Sequence, residues 1–279
     1  MLIDNLITEY LEKFRSSASP HTFLTYRQGL KDFRPFVKGE EITTDDVARW
    51  LASMQDRGLS GKTRSVRLMQ IRSFIGWLIQ TQRADYTLLY RIPSNISFQK
   101  PEPRVATEKE MVSLLLADIR PATRTLILLM GDAGLRAAEA GAVRTRDVDL
   151  EGKTIVVSKA KGGRTRVMPI LTDRLWLDLE VAVTRGEYVA AGNRALDQVK
   201  VWEYVNVACK QAGIRHLNPH SFRHGFAVRC AQLKGVNIRA IQQALGHSDL
   251  AQTDRYLTGL VGSTPFIADQ LAALNGEVR

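Results

Sequence analysis

The sequence predicts a mainly α-helical protein with one small three-stranded antiparallel β-sheet, an α+β chain in two domains. Three observations carry this. Apolar residues recur three or four apart through the first hundred residues, which is the period of a helix. A polar stretch over 92–105 holds Pro93, Pro101 and Pro103 and has the composition of a linker. Three short β-like runs between 148 and 170 interrupt an otherwise helical second half. A length of 279 residues suits one large domain or two ordinary ones.

The elements follow in order. Over 20–37, Phe23, Tyr26, Leu30, Phe33 and Phe36 or Val37 mark one helix face. Ser19-Pro20 starts that helix, with serine as cap and proline in the first turn. Thr44 is expected to cap a short helix with Val47, Trp50, Leu51 and Met54 inward, and Asp45 and Asp46 suit its positive end. A break at 58–61 precedes a helix over 62–80, whose buried stripe is expected to be Val66, Met69, Phe74, Trp77 and Leu78. Its basic residues Lys62, Arg64, Arg67 and Arg72, after Arg57, have no acid among them, as a phosphate-facing surface would. Past the linker, Thr107 and Glu110 form a capping box. A helix over 121–132 follows, then a meander over 148–150, 154–157 and 166–170. Helices are expected over 172–185, 196–212, 221–233, 238–245 and 267–274.

Charge and cysteine content narrow the function classes. Lys plus Arg number 39 against 29 Asp plus Glu, a net +10. That surplus points to a polyanionic partner. It divides evenly, with 15 basic and 10 acidic residues up to Lys100 and 24 and 19 beyond it. Cys209 and Cys230 are the only cysteines, so a disulfide framework is not expected. Asp4, Glu9 and Glu12 spoil a signal peptide, and the apolar run at 126–130 falls far short of the ~20 residues that span a bilayer. A cytoplasmic protein is expected, with no membrane association.

Chemistry concentrates late in the chain. His216, His220, His224 and His247 fall close together, and 205–248 contains Lys210, Arg215, Arg223, Arg229, Lys234 and Arg239 with no acid. Metal binding fits this poorly: Pro219 breaks any helix between His216 and His220, a metalloprotease would need Glu where Ser221 stands, and arginines repel a cation. Phosphoryl transfer fits better, because its transition state spreads negative charge that fixed arginine forks match.

Several motifs then resemble one family in order. Ala133-Gly134-Leu135-Arg136-Ala137-Ala138-Glu139 resembles the first-arginine motif of the tyrosine recombinase (phage integrase) family. Residues 159–170, with Lys161-Gly162 and Val167-Met168-Pro169-Ile170, resemble its lysine hairpin. Asn218-Pro219-His220-Ser221-Phe222-Arg223-His224 resembles its His-x-x-Arg box, Leu245-Gly246-His247-Ser248 the next motif, and Thr253-Asp254-Arg255-Tyr256 the nucleophile segment. His247 and Arg223 precede Tyr256 by nine and thirty-three residues, close to the family's spacing. Ser19-Pro20-His21-Thr22 through Tyr26 resembles the start of its core-binding domain.

The resemblance, to compact Xer-type and small integrase members, implies a site-specific DNA recombinase. Residues 1–95 would be a helical, SAM-like core-binding domain, 96–104 a linker and 105–279 the catalytic domain with a C-terminal docking helix. Tyr256 would attack the scissile phosphate to give a 3′-phosphotyrosyl bond. Arg136 and Arg223 would hold the non-bridging oxygens. Lys161, with Lys159 as the fallback, would protonate the leaving 5′-oxygen. His220 would act as acid/base or phosphate donor, and His247 would hydrogen-bond the phosphate. Glu139 would orient His220 or its surroundings, His224 would support, and His216 has no assigned role. Lys62, Arg64, Arg67, Arg72 and Arg164 would contact DNA. No metal and no cofactor is implied. The partners would be double-stranded DNA with inverted-repeat core sites and further copies of the chain, a dimer on each site and a tetramer joined through the tail. The protein would be nucleoid-associated. Two departures stand out: Ala140 follows Glu139 where the family usually has Leu, and only 59 residues separate Lys161 from His220, with the loop over 186–193 trimmed. A type IB topoisomerase or telomere resolvase, and a catalytically silent DNA-binding protein of this fold, are the alternatives.

Overall fold

The structure is a computed structural model that describes residues 2–99, 104–158, 165–232 and 245. Lys159, Lys161, Arg164, His247 and Tyr256, the helix expected over 238–245 apart from Leu245, and the expected tail helix over 267–274 lie outside the described residues. The chain divides into two compact units, Met1–Pro101 and Glu102–Arg279. The first is all helix in its described part. The second is helical around one three-stranded sheet.

The first unit holds α1 (Leu2–Ser17), α2 (Pro20–Phe33), a 3-10 turn (Arg34–Phe36), α3 (Thr44–Asp56), α4 (Gly61–Gln80) and α5 (Thr87–Arg91). Ser19 caps α2 through the Thr22 amide, with Pro20 in the first turn. On α3 the cap is Thr43, one residue before the expected Thr44. Only Thr43 has Asp46 three positions on to return a bond to its own amide at 2.8 Å and close a capping box. α1 has the periodic Ile3, Leu6, Ile7, Tyr10 and Phe14 of a core-facing helix, and Tyr10 packs on Phe14, Phe74 and Trp77. Burial pushes the Tyr10 phenol up to about 12, although its hydroxyl reaches Ser73 Oγ at 2.9 Å.

Helix α4 corrects one expectation and bears on a second. Phe74, Trp77 and Leu78 are buried as expected and Leu68, Ile71 and Ile75 join them, whereas Val66 and Met69 are 42% and 54% exposed. At 100° per residue, position 66 lies about 200° from 68, and 69 about 200° from 71. The second concerns the basic run. Arg67 pairs with Asp32 of α2 at 2.7 Å, and Arg57 with the same carboxylate at 2.8 Å. Arg72 donates to the carbonyls of Leu89, Ile92 and Pro93 at 3.0, 3.2 and 3.1 Å. The missing acid comes from another helix. Arg67 and Arg72 are therefore tied within this unit, as is Arg64 through Gln55 Oε1 at 3.0 Å, whereas Lys62 is exposed.

The second unit holds α6 (Glu108–Leu116), α7 (Pro121–Gly131), α8 (Ala137–Ala140), β1 (Val148–Asp149), β2 (Thr154–Val157), β3 (Arg166–Pro169), α9 (Asp173–Ala182), α10 (Gln198–Gln211) and α11 (Pro219–Ala231). Thr107 and Glu110 form the expected capping box of α6. α7 is apolar all round from Leu126 to Met130 because α6, α8, α9, α10 and α11 all pack on it. The strands run in the order β1-β2-β3, antiparallel, with Ile155 opposite Met168 and Val157 opposite Arg166. Strand alternation puts Ile155, Val157 and Met168 into the core. α11 starts at Pro219, two residues before the expected Ser221, with Asn218 as cap. That shift places His220 on the helix. Among the described residues no helix is long and apolar enough to cross a membrane.

Candidate active site

The site is built where α7 ends. Asp132 stops the helix, and Gly134 turns the chain at φ +64°, a left-handed conformation that favours glycine. Arg136 then opens the single turn of α8. Its amide donates to Glu139 Oε2 at 2.8 Å, and its Nη1 donates to Oε1 at 3.0 Å. Arg166, the first residue of β3, forks onto the same carboxylate, Nη1 to Oε1 at 3.0 Å and Nη2 to Oε2 at 2.8 Å. Arg223, from α11, places Nη1 3.8 Å from Glu139 Oε2.

Three guanidinium groups from three separate segments thus surround one carboxylate whose side chain is 8% exposed. Burial alone would raise the Glu139 pKa. The Arg166 fork, the Arg136 amide and the two nearby positive charges overcome it and hold the carboxyl down at about 2. Glu139 is ionised at neutral pH, and the cluster keeps a surplus of positive charge.

The two predicted clamp arginines occupy unequal positions. The Arg136 side chain is 36% exposed, while that of Arg223 is 2% exposed. Arg223 donates from Nη1 to the Gly134 carbonyl at 2.6 Å and from Nη2 to the Leu245 carbonyl. It ties the arginine loop to α11 and to the chain just before the Gly246-His247 pair. Glu139, expected to orient His220 or its surroundings, bonds Arg136 and Arg166 and lies near Arg223.

His220 lies in the first turn of α11, and His224 one turn on, their rings 4.4 Å apart and edge-to-face. His220 keeps an exposed surface. Partial burial of the ring, then Arg223 and Arg136, lower its pKa below the ordinary imidazole value. A neutral imidazole beside cations can accept a proton or hydrogen-bond an oxyanion's neighbour. His216 sits in the loop before α11 and packs its ring 5.9 Å from that of Trp202. Among the described residues, the structure therefore brings together Arg136, Glu139, His220, Arg223 and His224.

Arg166 is the member that sequence reading missed. Its signal was available: strand alternation from the core residue Met168 puts position 166 on the inner face, where a charged side chain needs a partner. Behind the site, Asp132 receives Arg174 at 2.5 and 2.7 Å and Thr172 at 2.8 Å, which fixes the end of α7 to the start of α9.

The model of the phage integrase family matches residues 104–260, more than half of the chain, and that of the phage integrase N-terminal SAM-like domain matches 7–82. The chain belongs to the phage integrase family. It is a tyrosine recombinase, an enzyme of site-specific recombination. Similar proteins include tyrosine recombinase XerA of Thermococcus kodakarensis, 29% identical over 263 residues, which cover 89% of this chain and 90% of the relative. Among solved structures, a lambda integrase dimer bound to a COC' core site aligns with a TM-score of 0.77 at 18% identity, covering 92% of this chain and 77% of that one. The Tn1549 transposon integrase in complex with transposon right end DNA gives a TM-score of 0.76 at 18% identity, covering 92% and 94%. These two likenesses establish the family fold in this chain.

Proposed function

We propose that this recombinase cleaves and rejoins double-stranded DNA through a 3′-phosphotyrosyl intermediate at the Arg136 site. The observation that supports it is the convergence of Arg136, Arg166 and Arg223 on the single carboxylate of Glu139, with His220 beside them. Such a cluster suits a phosphodiester, whose transition state spreads negative charge over its non-bridging oxygens.

In this reading the Tyr256 oxygen attacks phosphorus, the bond from phosphorus to the 5′-oxygen breaks, and Lys161 supplies the proton that makes a free 5′-hydroxyl. Arg136, the more exposed cation, meets the phosphate first, and the Arg223 charge lies behind it. Neutral His220 takes or shares the tyrosine proton, and His247 hydrogen-bonds the phosphate. Rejoining reverses the steps, so the bond energy is kept in the phosphotyrosine and the cycle needs neither metal nor nucleotide. The N-terminal unit, Met1–Pro101, would also contact the duplex, with Lys62 and Arg64 of α4 as phosphate contacts and Arg164 as a contact from the catalytic domain. Two protomers would bind one inverted-repeat site and four would exchange strands through a Holliday junction, joined by the C-terminal tail. A lambda integrase of similar fold is a dimer on its core site, which supports the first of these steps.

The test is covalent trapping. The wild-type protein is mixed with a pool of nicked duplexes of random sequence, denatured in detergent, and the attached strands are sequenced. An adduct that retains one sequence family and disappears in Tyr256→Phe is expected. No adduct from the wild type, or an unchanged adduct in Tyr256→Phe, overturns the reading. Relaxation of a supercoiled plasmid whatever its sequence would mark a topoisomerase instead.

A further inference from the structure

We propose that Arg166 is a positioning residue for DNA cleavage: its two-point ion pair fixes the plane of the Glu139 carboxylate, which in turn sets where Arg136 is held. The inference rests on the proposed cleavage reaction and adds a residue to it.

Each Glu139 oxygen is shared. Oε1 accepts Arg166 Nη1 and Arg136 Nη1, both at 3.0 Å, and Oε2 accepts Arg166 Nη2 and the Arg136 amide, both at 2.8 Å. Rotation of the carboxylate about its own axis would break the Arg136 contacts together. The Arg166 fork prevents that rotation, because two parallel bonds define a plane where one bond does not. Arg166 is itself held, since it is 12% exposed and anchored in β3 opposite Val157.

Charge alone does not explain Arg166. Without it, Arg136 and Arg223 still bring two positive charges to one carboxylate. What the fork adds is geometry, and that geometry ends on Arg136, the cation with the exposed face. Lysine cannot replace it, because an ammonium offers a point charge rather than a planar pair of donors.

A second route from Arg166 to the chemistry runs along the sequence. Arg166 closes the connection between β2 and β3 that carries Lys161, so its loss would disturb the leaving-group proton if the hairpin were what it positions. Replacing the 5′-bridging oxygen of the DNA with sulfur separates the two routes. A thiolate leaves without a proton, so a defect in proton delivery disappears on that substrate and a defect in phosphate positioning does not.

The experiment uses the full chain and a duplex recovered from the random pool, made with oxygen or sulfur at the scissile bridge. Single-turnover cleavage is measured for wild type, Arg166→Ala, Arg166→Lys, Glu139→Ala and the Glu139→Ala/Arg166→Ala double variant. A cleavage loss of about a hundredfold is expected for Arg166→Ala, the scale of an ångström-sized misplacement. DNA affinity should hold within about twofold. Arg166→Lys should recover little, the sulfur bridge should not rescue, and the double variant should be no slower than Glu139→Ala. Rescue by sulfur, full recovery by lysine, or multiplied defects in the double variant would each overturn the proposal. So would wild-type cleavage by Arg166→Ala. If Arg166→Ala does not fold, Arg166→Lys at wild-type rate overturns it and a slow, folded Arg166→Lys supports it. A wild-type protein that forms no adduct defeats the cleavage reading itself, a result distinct from all of these.

Discussion

Arg223 donates from Nη1 to the carbonyl oxygen of Gly134 at 2.6 Å, across 89 residues of chain, with its side chain 2% exposed. A guanidinium buried this deeply must have partners, and two of them are backbone carbonyls, at Gly134 and Leu245. The arginine therefore sets the position of the loop that delivers Arg136, besides contributing charge. The loop can meet it only because residue 134 is glycine. A Cβ there would lie 2.5 Å from the Phe226 ring, on a backbone at φ +64°.

Gly134→Ala is thus expected to cost about 2–4 kcal/mol, the sum of a left-handed backbone penalty and an overpacked contact. Adduct formation should fall further than stability does, since the displaced carbonyl releases Arg223 and moves Arg136. Denaturant unfolding and covalent trapping on the same samples check this. A variant as stable and as active as wild type would refute the account of the loop.

Glu139 gives a prediction in pH. Its folded pKa, about 2, lies below its ordinary 4.5, so the folded state favours the ionised form. The resulting stabilisation is fully present above about 4.5 and is lost as pH falls towards about 2. At about 1.4 kcal/mol per unit, its ceiling is about 3 kcal/mol. Glu139→Gln should be less stable than wild type at pH 7, and the gap should close between those two values. Denaturant midpoints at neutral pH and near pH 3 measure the gap directly. A gap that stays constant would show that Glu139 does not hold the arginines through its charge.

Local signals were legible in the sequence and pairings across distance were not. Ser19-Pro20 and the Thr107–Glu110 box each rest on residues within four positions, and both form as expected. The three strands were legible from their β-branched runs and turn residues. In α4 the buried Phe74, Trp77 and Leu78 were legible, but the first half of the stripe was not, because Val66 and Met69 are apolar like the buried face and only packing against α2 and α3 selects Leu68 and Ile71. The same limit hid Asp32 behind Arg67, and Arg166 behind Glu139. A charge looks unpaired in sequence when its partner lies 27 or 35 residues away. At the site the residue types were legible, since the arginines and histidines fall in short motifs, while the depth of each side chain was not. Burial of Arg223 and exposure of Arg136 follow from the turn at Gly134 and the start of α11 at Pro219.

His220 yields a second titration. Partial burial, Arg223 and Arg136 hold its pKa below 6.5, so the folded state prefers the neutral ring. That preference contributes stability above the ordinary value, and the contribution is lost as pH falls through the folded one. The His220 ring protons should titrate by NMR below the ordinary imidazole value. Arg136→Ala should move the midpoint upward by removing one of the causes. The cleavage rate should fall on the acid side with the same midpoint, and His220→Gln should abolish that limb. A midpoint above 6.5 would place a carboxylate, not the arginines, as the dominant neighbour of the ring.

The first unit separates two uses of a basic residue. Lys62 is exposed on α4, whereas Arg72 is bonded to three carbonyls at the end of α5 and beyond it. A lysine on phosphate releases a counterion when it binds, so Lys62→Ala should lower the slope of log affinity against log salt by about 0.9 and leave stability unchanged. Arg72→Ala should leave the slope unchanged and destabilise the unit by about 2 kcal/mol, the scale of charged hydrogen bonds lost to partly buried acceptors. DNA binding titrated over a salt series, with thermal unfolding of the same variants, reads both. If Arg72→Ala changed the salt slope and not the stability, its side chain would face phosphate and the carbonyl contacts would be incidental. Opposite results at these two positions on one helix would mean that net charge overstates the DNA-facing surface, because some cations of the basic run hold the fold together from within.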